Sequence, residues 1–415
     1  MSTLTGIVRW ILIAAVVGIL GGAASALLLA SLEWATNMRE SHLWLIAVLP
    51  VAGFAVGWIY HYFGGAVERG TNLLIDEIHD PKSVIPARMA PLVLLGTIAS
   101  HLFGGSAGRE GTALQMGASL ADQLSGPLHL NRADRRILLM AGISAGFASV
   151  FGTPLAGAVF GLEVLAIGKL RYDAILPCFI AAIVGDRISL AWGIHHTVYR
   201  IPFIPPVSII GLLCAIVAGM AFGVTGNLFA KTTHVIAARL KQWITYAPLR
   251  PFAGGIIVAT AVWAIGTTRY IGLGIPTIVE SFAHPVHPWD FAARFLFTVV
   301  TLGSGFKGGE VTPLFFIGAT LGNTLAFILP LPFALLAGMG FVAVFGGAAN
   351  TPLASMLMAM ELFGPEAGVF AGIACVVSYL CSGHSGIYHA QKAGVKTLNQ
   401  TASPDPAVRT DQTSA

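Results

Sequence analysis

Two glycine-rich breaks interrupt an otherwise apolar chain. The first is Gly104-Gly105-Ser106-Ala107-Gly108-Arg109-Glu110-Gly111-Thr112; the second is Gly303-Ser304-Gly305-Phe306-Lys307-Gly308-Gly309-Glu310-Val311-Thr312-Pro313. Glycine at this density exposes backbone N–H groups, and a helix starting just afterwards adds the positive end of its dipole. Together they make an anion site without needing a full cation. Glu110 falls at the first of these helix starts. Its carboxylate can occupy the anion position and leave it on protonation, which couples an anion to a proton. The competing reading is a helix cap paired with Arg109. Glu310 carries the same two readings, with Lys307 available to neutralise it. Thr312 offers a hydroxyl donor, and the N–H groups of Glu310 and Val311 lie beside it. Gly70-Thr71-Asn72-Leu73 adds short polar donors after a glycine, and Tyr388 adds a phenol after the last apolar segment. Alone, these two read as an ordinary turn and an interfacial aromatic.

The elements that must position these residues are membrane helices. The 415 residues include only 23 Lys and Arg and 19 Asp and Glu, or 10% charged, with 55% hydrophobic. Mean hydropathy is +0.78. A soluble chain of this size needs far more surface charge, so soluble enzymes and nucleic-acid binders are excluded. The net charge of +4 is read as basic cytoplasmic loops, with no nucleic acid as partner. Cys178, Cys214, Cys375 and Cys381 form no CxxC pair and read as buried hydrophobes. His284 and His287 lie in a Pro-containing loop, and no metal site is expected. No nucleophile–base pair or phosphate loop is present, so neither an enzyme nor a cofactor is expected. Residues 6–31 are too long for a signal h-region and read as a first helix that stays. Several later apolar stretches are too short for a full crossing and are broken by some of the 49 glycines. Helices that stop inside the bilayer survive only where protein or a cavity receives their ends, as in channels and transporters.

An internal repeat organises the chain. Thr153-Pro154-Leu155-Ala156 with Glu163 matches Thr351-Pro352-Leu353-Ala354 with Glu361. Leu102…Gly105…Glu110 matches Leu302…Gly305…Glu310, and Gly70-Thr71-Asn72 matches Gly272-Leu273-Gly274. The halves run over 6–197 and 207–390, forming one transmembrane domain of residues 1–390. Residues 391–415 read as a polar, disordered tail. Repeats of this kind often run in opposite topology with the site where broken helices meet. Glu163 and Glu361 read as structural, and Asp186 as paired with Arg187. Basic clusters at Arg132, Arg135 and Arg136, at Lys231, Arg239 and Lys241, and at Lys392 and Lys396 place the C-terminus in the cytoplasm.

Read together, these motifs resemble the CLC family of anion channels and anion/proton antiporters. Gly108-Arg109-Glu110-Gly111 is similar to its GREGP motif, with Thr112 in place of the proline. Gly309 to Pro313 sits where the family has GIFxP, and Tyr388 where it has its pore tyrosine. The resemblance covers about residues 6–390. It implies an all-α polytopic membrane protein with two inverted-topology repeats whose broken helices meet at a central anion site. It also implies a homodimer in the bacterial inner membrane.

Three departures resemble the fluoride-exporting branch. Thr71-Asn72 replaces a serine motif, Glu310-Val311-Thr312 stands in the second-half motif, and Val164 stands where chloride/proton exchangers carry a second glutamate. The resemblance implies fluoride export in exchange for protons, with Glu110 as gating glutamate. Glu310, acting as inner gate or proton relay, Thr312 and Tyr388 would line the inner path. The anion-binding set is then Thr71, Asn72, Gly108, Arg109, Gly111, Val311, Thr312 and Tyr388. A chloride/proton antiporter and a passive anion channel of the same fold remain the alternatives. Fluoride is small and tightly hydrated, so short hydroxyl and amide donors suit it better than apolar walls.

Overall fold

A computed structural model describes residues 3–383 and 386–392. Residues 393–415, most of the expected tail, lie outside the described residues, as does Ser385. The described residues form sixteen α-helices and no strand. The first eight are α1 (Thr3–Ser41), α2 (Leu49–Phe63), α3 (Thr71–His79), α4 (Met89–Leu102), α5 (Glu110–Asp122), α6 (Arg132–Phe151), α7 (Pro154–Glu163) and α8 (Ile175–Ala191). After an extended connection come α9 (Ile209–Trp243), α10 (Leu249–Ile265), α11 (Ile275–Ala283), α12 (Asp290–Gly303), α13 (Val311–Leu325), α14 (Phe333–Ala349), α15 (Pro352–Phe363) and α16 (Gly368–Cys381). Helix for helix, the second eight repeat the first.

The repeats are inverted, and two glutamates show how. Glu163, ending α7, accepts from the N–H groups of Leu353 (3.1 Å) and Ala354 (2.8 Å) at the start of α15. Glu361, near the end of α15, accepts from Leu155 (2.9 Å) and Ala156 (2.8 Å) at the start of α7. Each repeat caps the other's helix, which requires the two helices to run antiparallel. A proline at the start of each lacks the N–H that a cap would have to satisfy. Both carboxylates are therefore structural, as their matched positions suggest.

Among the described residues, four helical segments are long and apolar enough to cross a membrane: Leu4–Ser41, Leu43–Phe63, Tyr172–Ala191 and Ile209–Trp243. The others are shorter or, like the 20-residue α6 with its charged first turns, less apolar. At 13 residues, α5 rises only about 20 Å, less than the hydrocarbon thickness of about 30 Å. The glycines do more than break helices. An added Cβ at Gly142 of α6 would lie 2.8 Å from the Gly117 carbonyl of α5, so small residues let these backbones touch. An aromatic stack joins the halves: Phe147 lies 4.2 Å from Phe160, Phe151 5.1 Å from Phe315, and Phe315 3.9 Å from Phe341.

Arg135, expected in a cytoplasmic cluster, is instead buried between helices. It donates to Asp122 (2.7 and 2.8 Å), Glu77 (3.0 Å) and the Ser83 carbonyl (2.6 Å). This network ties α3, α5 and α6 together. At the start of α6, Asn131 caps by accepting from the Asp134 N–H at 2.9 Å, as its sequence position suggests.

Candidate functional site

The two glycine breaks meet. Gly108 and Gly309 exchange backbone hydrogen bonds, N–H to carbonyl at 2.6 and 2.9 Å. This short antiparallel pairing aims the N-termini of α5 and α13 at one another. Gly108 has no alternative residue: a Cβ there would lie 2.5 Å from Oε2 of Glu110 and 2.9 Å from the Gly309 carbonyl.

Glu110 is fully buried. It opens α5, yet its carboxylate serves the other repeat's helix. Oε2 accepts from the Thr312 N–H at 3.1 Å and the Arg109 N–H at 3.0 Å, and Oε1 accepts from the Thr312 hydroxyl. A carboxylate thus fills the anion seat at the start of α13. The reading of Glu110 as a cap of its own helix does not fit this geometry. Its pairing with Arg109 is loose, 4.0 Å from Nε to Oε1. The donors are Thr312 and Arg109, not the N–H groups of Glu310 and Val311.

The symmetry corrects one match made from the sequence. Gly108 pairs with Gly309, α5 starts at Glu110 and α13 starts at Val311. The mate of Glu110 is therefore Val311, which is fully buried, and the mate of Glu310 is Arg109. These two precede their helices with similar backbone angles, φ −120° and −91°. The letters Glu-x-Thr attracted a match one residue out of register. A cation on one side of the site thus corresponds to an anion on the other. A similar slip affects the third match: Gly70 and Gly274, with φ of 55° and 72°, are the residues that immediately precede α3 and α11, so Gly70 pairs with Gly274 rather than Gly272. Glycine is needed at both because positive φ is costly for a side chain.

Glu310 is partly buried, and its electrostatic neighbours include Glu110. Lys307 does not neutralise it. The Lys307 ammonium sits 4.0 Å over the Tyr60 ring, a cation–π contact. Tyr388 is buried, not interfacial, and its hydroxyl has no protein partner. It lies within electrostatic reach of both carboxylates. Its segment is pinned by Gln391, whose amide donates to the carbonyls of Val164 (2.9 Å) and Ala349 (2.8 Å). Gln391 and Lys392 are thus part of the fold rather than the start of a tail.

Thr71 is buried and its hydroxyl accepts from Gln115 at 3.3 Å, leaving its own hydrogen to donate. Asn72 is committed elsewhere: its carbonyl oxygen accepts from the Ala390 N–H at 3.0 Å. Gly111, in the first turn of α5, keeps the Gln115 amide and Gly309 close. The sequence reading missed Gln115, His101, Arg39 and Arg294. His101 is fully buried with Nε2 3.3 Å from the Gly108 carbonyl. Arg39 donates to the His101 carbonyl at 2.7 Å, and Arg294 to those of Tyr270 and Gly272 at 2.9 and 2.7 Å. A charge within an apolar run was the available signal for Arg294; Arg39 lies in the polar stretch Thr36-Asn37-Met38-Arg39-Glu40-Ser41 and gave none.

Residues 52–383 match the family described as Voltage gated chloride channel. The chain belongs to this family. A relative from Pseudomonas syringae pathovar tomato, named chloride/fluoride channel protein, is 61% identical over 95% of this chain and 88% of its own. A crystal structure of a CLC-type fluoride/proton antiporter is 35% identical, with TM-score 0.92, covering 95% of this chain and all of that one. A slow cyanobacterial chloride/proton antiporter, at 20% identity and TM-score 0.80, shares the CLC fold. The protein is therefore a multi-pass CLC membrane protein of the kind that moves anions.

Proposed function

We propose that the protein is an antiporter that exports fluoride from the bacterial cytoplasm across the inner membrane as protons enter. The carrying observation is the Glu110 carboxylate seated on the N-terminus of α13. Two anions cannot share that seat, since like charges in a low-dielectric site repel by several kcal/mol (order of magnitude). Fluoride entry therefore expels the carboxylate or follows its protonation, so anion and proton occupancy are linked at one place. Thr312, Tyr388 and Thr71 supply hydroxyl donors around the path, in keeping with the cost of stripping water from a small anion. Gly108, Gly111 and Val311 bring the two backbones close enough for N–H groups to contribute. Asn72 positions the segment that carries Tyr388. Val164, buried at the end of α7, cannot hold a proton, so Glu310 carries protons on the inner side or they travel with the anion as HF. The relationship to the fluoride/proton antiporter supports this reading.

The cytoplasmic side is assigned from charge. Arg69, Lys82 and Lys392 line one polar cavity, and Arg136 and Arg171 act on His79 beside it. The basic end of α9 joins them, since the His234 ring lies 3.6 Å from that of His389, tilted by 38°. By the positive-inside rule that face is cytoplasmic, and so is the C-terminus. The protein is read as a homodimer in the lipid bilayer, as the CLC resemblance implies. Fluoride-loaded proteoliposomes test the proposal: fluoride release must drive proton uptake. The word channel in the name of the 61% identical relative favours a second reading, passive anion flow. Under that reading the reversal potential follows the anion gradient alone.

A further inference from the structure

A cavity of about 330 Å³ opens at the mouth opposite the basic face, lined among others by Glu33, Thr36, Arg109, His195 and His196. Its position follows from α1, whose start pairs Arg9 with Asp134 on the basic side and whose far end forms the cavity wall. Buried polar atoms here lack hydrogen-bond partners: Thr36 Oγ1, Arg109 Nε and His196 Nε2.

His196 comes from the connection between the repeats. Its ring lies over Gly152, where a Cβ would be 2.5 Å from Cδ2. The Val150 carbonyl is the acceptor for the ring's remaining nitrogen, since Nε2 has no partner. A carbonyl only accepts, so Nδ1 carries the hydrogen, and Nε2 of the neutral ring is a bare acceptor. That acceptor faces Oδ1 of Asp186 at 3.9 Å, and Asp186 is nearly fully buried. Two acceptors this close repel until a proton is placed between them. The charged and titratable groups around them come from every neighbouring element. They are Arg109 before α5, Arg187 beside Asp186 at 3.6 Å, His195 in the same segment, Glu33 on α1, and Glu361 on α15 beyond Asp186.

We propose that His196 and Asp186 form an outer proton-collecting dyad that loads the proton destined for Glu110, and that an anion at Arg109 controls this loading. The proposal rests on the antiport reading. Burial and the neighbouring Arg109 push the His196 imidazolium down to about 4, so the ring is neutral while Arg109 has only its loose 4.0 Å pairing with Glu110. An anion beside Arg109 cancels that repulsion and raises the proton affinity of Nε2. A proton from outer water then adds to Nε2, giving an imidazolium that donates to the Val150 carbonyl and toward Asp186. It passes across the cavity to its Arg109 wall and on to the adjoining Glu110 carboxylate, and His196 returns to neutral.

The test is fluoride efflux and proton uptake in proteoliposomes over a series of outer pH values, for the wild type, His196→Gln and Asp186→Asn. The wild type should speed up as the outside is acidified. Each variant should lose that rise, falling about 100-fold behind at acid pH, with correct folding checked by size exclusion. Asp186→Asn is nearly isosteric and keeps the test valid if His196→Gln fails to fold. Variant profiles that superimpose on a proton-coupled wild type overturn the dyad alone. A wild type without proton coupling overturns the antiport reading instead.

Discussion

Glu110→Gln isolates charge from shape at the α13 seat. The carboxylate accepts from the Thr312 N–H, the Thr312 hydroxyl and the Arg109 N–H. A glutamine of the same size keeps one acceptor oxygen, but its NH2 must point at one of these donors. Charge-assisted bonds contribute about 1.5–3 kcal/mol each, against about 1 for neutral ones. The seated side chain is thus weakened by about 2–4 kcal/mol, or roughly 30- to 700-fold in favour of an anion displacing it. The glutamine also has no proton to exchange. Fluoride should therefore bind the solubilised variant more tightly by titration calorimetry. In proteoliposomes, fluoride flux should continue without proton uptake, or stop, but never remain proton-coupled. Proton-coupled exchange at wild-type rate would refute the reasoning, because Glu110 would then be no more than a cap for α13.

Other perturbations separate the remaining roles. In the Glu110→Gln background, where no carboxylate competes for the seat, Thr312→Ala should weaken fluoride binding about 10- to 100-fold; Thr312→Ser should restore it, and calorimetry reads both. Tyr388→Phe removes a hydroxyl with no protein partner, so the melting temperature should stay put while fluoride affinity falls. A drop in melting temperature would mean the hydroxyl is structural. Arg135→Met leaves Glu77 and Asp122 as uncompensated buried charges and should cost about 3–5 kcal/mol. Unchanged thermal unfolding in detergent would contradict this.

Several features of the site were legible in residue order because they depend on local chemistry. Glycine clusters before helix starts, Glu110, Thr312, and the matched Thr-Pro-Leu-Ala segments with Glu163 and Glu361 all stand out against an apolar background. The same background misled where charges were assigned to loops by default. Arg39, Arg135 and Arg294 lie inside the protein, held by carbonyls and carboxylates distant in sequence. Asn72 could not be told from Thr71 either, since the Ala390 N–H that claims it is 318 residues away.

By itself the sequence determined the solvent, the two-fold repetition and the motif residues, because hydropathy, repeat spacing and glycine content are properties of neighbours along the chain. Only the tertiary structure decided which helix each carboxylate serves. Glu110 begins one helix but caps another. Glu163 and Glu361 cap each other's helices, and Arg109 rather than Glu110 is the symmetry mate of Glu310. Those relations cross between halves of the chain. They arise because inverted packing brings helix N-termini from both repeats into one buried place, where every N–H and every charge must find a partner.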